Sequence, residues 1–422
     1  MSFSSLGLCT ELLTAISAQG YTTPSPIQQK AIPAVLNLSD VMAVAQTGTG
    51  KTAGFTLPVI QRLFDGSPVQ ANYVRALIIA PTRELAAQVA NSVENYSSHM
   101  NLRSAAVFGG VRIEPQIAAL QAGLDILVAT PGRLIDLYNQ KAINFAQLEV
   151  LVLDEADRML DLGFIEDISH IVSLLPKKRQ TLMFSATFSQ EIKTLASSML
   201  NDPQLIEVNV VNSTIDTIRQ KVHPVDKARK SEILIHLIKT NNWRQVLVFS
   251  RTKKGADELV SQLEHANIPA ASIHANRTQH ARTHALEGFK SGKIKVLVAT
   301  DIASRGIDID QLPCVINFDL PDIAEDYVHR IGRTGRAGTK GLAISLVSTS
   351  EKKQLLAIER MINRAFSQEV IPGFAPTKKA TVVKYDDDEY GNFEADPVPR
   401  RNGKSSGRNS RSNTTSSRKR RK

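Results

Sequence analysis

The chain has 422 residues, enough for two or three domains, and its 42% hydrophobic content is ample for real cores. No run of 18 apolar residues occurs, and the opening MSFSSLGLCTELL lacks a basic stretch and a small-residue cleavage site, so neither a membrane span nor a secretory leader is expected. The two cysteines, Cys9 and Cys314, have no metal-ligand spacing, which argues against a disulfide scaffold or a zinc centre and suits a reducing cytoplasm. The net charge is +10, yet Arg400–Lys422 alone carries ten Lys or Arg and no acid, so the basic character belongs to the tail.

In chain order, helical spacing around Leu6–Ala18 ends in Gly20-Tyr21-Thr22-Thr23-Pro24-Ser25-Pro26, where two prolines force an extended path. Helical spacing resumes at Gln28–Val35. Gln28 reads equally well as a first-turn polar residue or as an amide that matches an adenine edge with one donor and one acceptor. An apolar run, Val41–Ala45, then leads into Ala45-Gln46-Thr47-Gly48-Thr49-Gly50-Lys51-Thr52, and a helical pattern follows. Strand, glycine loop and helix in this order form a phosphate cradle. The glycines let the backbone approach an anion, the helix N-terminus faces it, Lys51 reaches the outer phosphates and the Thr52 hydroxyl suits Mg²⁺. A plain glycine turn with a solvated lysine rarely carries Gly-Lys-Thr at this junction. Ala45 stands where the general pattern has Gly.

Short β-rich apolar runs then alternate with helical stretches, at Ala76–Ala80, Ala105–Phe108, Asp125–Ala129, Val150–Leu153 and Thr181–Phe184. Nearly continuous apolar runs are what strands buried on both faces require, and the alternation implies βαβ units in a parallel sheet. Ligands gather at the carboxyl ends of such strands. Each run is followed there by a polar cluster: Pro81-Thr82-Arg83-Glu84, Gly109-Gly110, Thr130-Pro131-Gly132-Arg133, Asp154-Glu155-Ala156-Asp157 and Ser185-Ala186-Thr187. Beside a phosphate loop, Asp154 can hold Mg²⁺ through its water shell and Glu155 can position and deprotonate an attacking water. The competing reading is a pair of helix-start acids complementing a dipole.

A second alternation, at Val246–Phe249, Ala271–Ile273, Val296–Ala299, Val315–Phe318 and Leu342–Val347, has no Gly-Lys-Thr and reads as a second α/β domain without its own nucleotide. The polar stretch Val211–Gln220 reads as the connection. Strand-end clusters recur at Thr300–Asp308 and at His329-Arg330-Ile331-Gly332-Arg333-Thr334-Gly335-Arg336. Arginines at three-residue spacing among glycines suit phosphate oxygens, and across a cleft from the phosphate loop they could act as arginine fingers. Taken alone they could equally be surface arginines. Beyond Ala365 the pattern decays into an extended Pro372–Pro376 linker, an acidic patch at Asp386–Glu389, and Arg400–Lys422, which should be disordered and suited to sequence-independent phosphate contact or to simple solubilisation.

In order and spacing these clusters resemble the DEAD-box RNA helicases over roughly residues 3 to 350, with the literal Asp-Glu-Ala-Asp at 154–157. The family usually has Ala at the position of Ala45. Ser304–Arg336 and Phe318-Asp319-Leu320-Pro321 look closest to the bacterial RhlE-like branch. The resemblance implies two tandem RecA-like parallel-sheet domains, residues 1–208 and 209–365, around an ATP cleft crossed by RNA, with a disordered basic tail from 366 to 422. Carried over by position, Phe3 would stack on adenine and Gln28 would read its edge. Thr47, Gly48, Thr49, Gly50, Lys51 and Thr52 would hold the phosphates, and Asp308 would contact the ribose. Thr52 and Asp154 would support Mg²⁺, Glu155 would be the base, and Arg333 and Arg336 the fingers. Arg83, Gly110, Thr130 and Arg133, with Gln279, Arg282 and Thr300, would hold the RNA backbone. Asp157, Ser185, Thr187 and His329 would couple the domains. Ser25 stands where the family more often has Thr, and keeps the hydroxyl.

The implied activity is RNA-stimulated ATP hydrolysis with local opening of short duplexes or of RNA–protein complexes. ATP and RNA would each favour a closed cleft and so be reciprocally coupled. The competing class is an ATP-gated RNA clamp or assembly scaffold. Ribonucleoprotein or ribosome-assembly partners fit either reading, and no membrane partner is expected.

Overall fold

The computed structural model describes residues 2–46, 48–64, 66–208, 218–301, 309, 312–335 and 341–377. Thr47, Asp308, Arg336 and the tail beyond 377, all singled out in the sequence, lie outside the described residues.

The chain opens with α1 (Thr10–Ala18) and α2 (Pro26–Leu36). Ser25 caps α2 through a capping box with Gln28, and Pro26 at the first position needs no N–H partner. The first sheet then alternates strand and helix. Its members are β1 (Val41–Val44), α3 (Lys51–Phe64), β2 (Val74–Ile79), α4 (Arg83–Tyr96), β3 (Ser104–Val107), α5 (Glu114–Gln121), β4 (Leu124–Ala129), α6 (Pro131–Asn139), β5 (Val150–Leu153), α7 (Ala156–Asp161), α8 (Ile165–Leu174), β6 (Gln180–Ser185), α9 (Gln190–Met199) and β7 (Gln204–Glu207). The strand order is β3-β4-β2-β5-β6-β1-β7 and the pairings are parallel. β2, β4, β5 and β6 are buried along their whole length, which is why they read as unbroken apolar runs. One apolar layer packs α2, α3 and α4 on one face of the sheet, and a second packs α6, α8 and α9 on the other.

The second sheet comprises β8 (Ile218–Pro224), α10 (Lys230–Thr240), β9 (Val246–Phe249), α11 (Lys253–His265), β10 (Ala270–Ile273), α12 (Gln279–Lys290), β11 (Val296–Ala299), β12 (Cys314–Asn317), α13 (Ala324–Ile331), β13 (Gly341–Val347) and α14 (Lys352–Ile362). Its order is β10-β11-β9-β12-β13-β8, again with parallel pairings. Both sheets sit in one compact unit spanning Met1–Ala380.

Two expectations are corrected. The stretch read as a connection, Val211–Gln220, gives its last three residues to β8, an edge strand too polar to signal itself. Residues 366–377, assigned to the tail, instead pack on the second domain. Gln368 bridges Val222 in parallel, Ile371 is buried, and the Phe374 ring lies under the Arg229 guanidinium at 4.7 Å. Side-chain packing across a sheet edge has no local periodicity, so the sequence did not show it. No helix among the described residues is long and apolar enough to cross a membrane.

Candidate active site

The phosphate loop follows β1 and ends at α3. Gly48 and Gly50 take φ of 78° and 92°, in the left-handed region that favours glycine. A Cβ on Gly50 would run into the Gln28 amide, because Gln28 Nε2 donates to the Gly50 carbonyl at 3.1 Å while its Oε1 accepts from Ser25 N–H at 2.9 Å. Gln28 therefore braces the loop. That contact joins the first turn of α2 to the phosphate loop. Thr49 Oγ1 donates to the Gln46 carbonyl at 2.7 Å. Lys51 is 6% exposed, and its Nζ is buried with no hydrogen-bond partner among the described residues. A buried ammonium without an acceptor is costly, so the site calls for an anion at this point.

Facing it are the strand-end acids. Asp154 closes β5 at 3% exposure, and its carboxyl is pushed up to about 7, first by burial and then by the charge of Glu155, against the pull of Lys51. Glu155 sits in the left-handed region at φ 53°, ψ 54°, a strain of roughly 1–3 kcal/mol for such a residue, which sets its carboxyl at the mouth of α7. Burial also raises its pKa, while Lys51 and Arg333 oppose the shift. Asp157 Oδ2 accepts from the N–H groups of Ala186 and Thr187 at 3.0 and 2.9 Å, and Thr187 N–H also reaches Ser185 Oγ at 3.3 Å. Asp157, Ser185 and Thr187 are thus one hydrogen-bonded unit.

The second domain closes the opposite wall. A cleft of about 520 Å³ is lined by Glu155, Asp157 and Thr187 on one side and by His329 and Arg333 on the other. Arg333 is 8% exposed. The His329 imidazole is pushed down to about 4, chiefly by burial, with the Lys51, Arg333 and Arg158 charges adding to it and Asp157 opposing. Arg330, the first arginine of the triplet, faces inward. It pairs bidentately with Asp301 at 2.5 and 2.6 Å, donates to the Asn317 side chain and the Asp319 carbonyl, and stacks over Phe249 at 4.8 Å. Its role is to fix α13 to the ends of β11 and β12.

The expected RNA face assembles across the domains. Arg282 Nη2 meets Glu84 Oε2 at 2.8 Å, Gln279 Nε2 donates to Glu84 Oε1 at 3.0 Å, and Arg83 Nη1 lies 3.5 Å from Gln279 Oε1. Gly110, at φ 79°, lies against Arg83, where a Cβ would collide. Arg133 Nη2 donates to the Val111 carbonyl at 3.1 Å, leaving Nη1 buried and unpartnered among the described residues. Thr130 caps α6, and Thr300 lies at the end of β11 beside Ile273.

Phe3 does not fit its expected place. Its ring is 5% exposed inside the first apolar layer, whereas a ring that stacks on adenine must present an open face when no adenine is there. Sequence reasoning also gave no role to Glu84, Arg158 or Tyr21, and it grouped Arg330 with the arginines suited to phosphate oxygens. Glu84 and Tyr21 stand inside quoted clusters, so position was the available signal.

Fold and site together define a two-domain phosphate-loop nucleotide hydrolase. Comparison with known proteins agrees. The DEAD/DEAH box helicase model matches residues 25–195, and the helicase conserved C-terminal domain model matches 229–338. The chain is 42% identical to the ATP-dependent RNA helicase RhlB of Pseudomonas syringae pv. tomato, over 88% of this chain and 95% of that protein. It is also 42% identical to the DEAD-box ATP-dependent RNA helicase CshA of Geobacillus kaustophilus, over 86% and 77%. Among solved structures, S. cerevisiae Dbp5 bound to RNA and ADP BeF3 aligns with TM-score 0.79 and 32% identity, over 89% of this chain and 96% of that one. The chain belongs to the DEAD-box ATP-dependent RNA helicases. These relatives do not single out the RhlE-like branch.

Proposed function

We propose that this helicase works by closing its two sheets on ATP and RNA together, opening short duplexes locally rather than travelling along them. The observation that carries the reading is the buried, unpartnered Lys51 ammonium, whose charge acts both on Glu155 and on His329 of the second domain. A site that binds ATP from one domain and is completed from the other hydrolyses only when closed. Neighbouring structures support the closed reading. RNA- and nucleotide-bound Dbp5 aligns at 0.79, while a DEAD box protein from Methanococcus jannaschii, at 40% identity, aligns at only 0.51.

In this reading Lys51 and the loop amides hold the phosphates, with Thr47 contributing to the cradle. Glu155 takes the proton of the attacking water, and Arg333, with Arg336, meets charge developing on the transferred phosphoryl group. Thr52 and Asp154 would hold Mg²⁺, partly through water; the ion would neutralise phosphate charge. Asp308 would meet the ribose. Tyr21, half exposed and seven residues before Gln28, replaces Phe3 as the aromatic offered to adenine. Arg83, Gly110, Thr130, Arg133, Gln279, Arg282 and Thr300 hold the RNA backbone, so recognition is sequence-tolerant. The basic tail adds non-specific affinity. Ribonucleoprotein or ribosome-assembly complexes are the natural targets of such local opening.

The test is Glu155→Gln. ATP binding should persist while RNA-stimulated turnover is lost. Normal hydrolysis by this variant would remove Glu155 as the base.

A further inference from the structure

The second domain holds a cluster of polar groups that the hydrolysis site does not use. Asp257, on α11, accepts three hydrogen bonds on a single oxygen. Ser272 Oγ donates at 2.6 Å, His274 Nε2 lies at 2.9 Å, and Arg277 Nη2 donates at 2.7 Å. Ser272 lies in β10, His274 immediately follows it, and Arg277 lies in the turn to α12. The turn closes with the Arg277 N–H donating to the His274 carbonyl at 3.0 Å, and the Arg277 side chain folds back to Ser272 Oγ at 2.9 and 3.0 Å. From the first residue of α11, Lys253 Nζ donates to Asn276 Oδ1 at 2.9 Å. Ser272 and His274 are buried, at 5% and 2% exposure, while the Asp257 and Arg277 side chains that close over them are each 44% exposed, so the cluster runs from the protein interior to its surface.

The geometry points to a bracket. Thr278 caps α12, and Gln279 and Arg282 on its first turn are the residues that reach Glu84 and Arg83 of the first domain. The segment between β10 and α12 would otherwise be a short flexible turn. Pinning it at Ser272, His274, Asn276 and Arg277 fixes the direction in which α12 begins. The bonds to Asp257 are charge-assisted on the acceptor side and short, as such bonds are. We propose that Asp257 is a positioning residue for RNA, which acts through His274 and Arg277 to hold Gln279 and Arg282 in register with the RNA backbone. This rests on the assignment of Gln279 and Arg282 to RNA.

The test is RNA-stimulated ATPase of the full chain, titrated with short single-stranded oligo(U). Asp257→Asn should raise the half-saturating RNA concentration about 10-fold, the effect of losing charge-assisted bonds to one carboxylate. Turnover at saturating RNA and the half-saturating ATP concentration should stay within about twofold. His274→Gln keeps a side-chain N–H toward Asp257 and should behave as wild type, whereas His274→Ala should not. Combined with Gln279→Ala and Arg282→Ala together, Asp257→Asn should add nothing. If Asp257→Asn does not fold, the His274→Gln and His274→Ala pair decides alone, and equal RNA dependence of the two overturns the bracket. An unchanged RNA dependence in folded Asp257→Asn, a parallel loss in ATP affinity, or additivity with the Gln279→Ala and Arg282→Ala pair also overturns it. If Gln279→Ala itself leaves RNA dependence unchanged, the RNA assignment fails and takes the bracket's purpose with it. A Gln279 effect without an Asp257 effect removes the bracket alone.

Discussion

Replacing Glu84 by Gln gives a test in which two physical effects have opposite signs. Glu84 and Arg282 are each 9% exposed and meet at 2.8 Å across the domains, with Gln279 completing the Glu84 carboxylate at 3.0 Å. Arg282 Nε has no hydrogen-bond partner among the described residues, so Glu84 is the guanidinium's principal compensation. Truncating one partner of such a buried pair costs about 2–5 kcal/mol; the Gln amide oxygen can still accept one bond, which places the cost near the lower end, about 2 kcal/mol. At about 1.4 kcal/mol per tenfold, closure should weaken roughly 30-fold. The cost falls on the closed state alone, because in an open molecule both groups regain water. Simple charge counting gives the reverse: removing an anion from an RNA-facing surface should tighten RNA binding. The assay is energy transfer between one dye in each domain, titrated with RNA in the presence of a non-hydrolysable ATP analogue. A 30-fold rise in the RNA needed for half-closure is expected, together with weaker reciprocal coupling between RNA and nucleotide. Unchanged or tighter closure would refute the latch.

Other outcomes follow from single residues. Tyr21→Ala should raise the half-saturating ATP concentration several-fold with little loss of stability, while Phe3→Ala should cost about 3 kcal/mol in an unfolding titration and leave ATP affinity nearly unchanged among folded molecules. For pH, His329 is held near 4 when the cleft is closed, below the ordinary 6.5, so its contribution to closure is complete above about 6.5 and lost as pH falls toward 4. The difference between wild type and His329→Gln in dye-reported closure isolates this effect, and should vanish at pH 7.5 and grow toward pH 5. In the second domain, Lys230 lies 2.6 Å from Glu351 and both are buried, so Glu351→Ala leaves the ammonium only Asp319 at 3.3 Å and the Phe318 carbonyl, and should lower the unfolding free energy of that domain by about 2 kcal/mol in a denaturant titration.

Much of the fold was legible because its central strands are buried on both faces. Val246–Phe249 and Val296–Ala299 coincide with β9 and β11, and Val150–Leu153 with β5. The edge strands were not legible: β7 is exposed at three of its four positions, and β8 alternates too weakly to separate from a linker. At the site, Lys51, Glu155, Asp157, Ser185 and Thr187 were nameable because they lie at or just past strand ends that share one edge, whereas His329, inside α13, and Arg333, just after it, were nameable from the glycine-spaced arginine pattern. Roles were harder to see than places. Arg330 and Arg333 look alike in sequence and are both buried, and only their surroundings separate the one clamped by Asp301 from the one lining the cleft. Phe3 failed for the same reason, because position cannot say whether a ring faces a ligand or a core.

The two carboxylates that follow strands on either side of the cleft explain how closure can act as a switch without rebuilding either half. In the first domain, Asp157 gathers the backbone of Ala186 and Thr187, so the loop after β6 moves with the acids after β5. In the second, Asp301 holds Arg330 bidentately, so the residue after Thr300, at the expected RNA edge, is tied to the helix that carries His329 and leads to Arg333. Each half therefore links a strand end facing RNA or the partner domain to a group facing the phosphates through one short, charge-assisted contact. Rigid halves have few alternative arrangements, so free energy from RNA on one edge and ATP in the cleft is spent on a single coordinate, the approach of the domains. The same construction accounts for reciprocal coupling: a change that loosens Asp157 or Asp301 should uncouple ATP from RNA while leaving each ligand able to bind its own half.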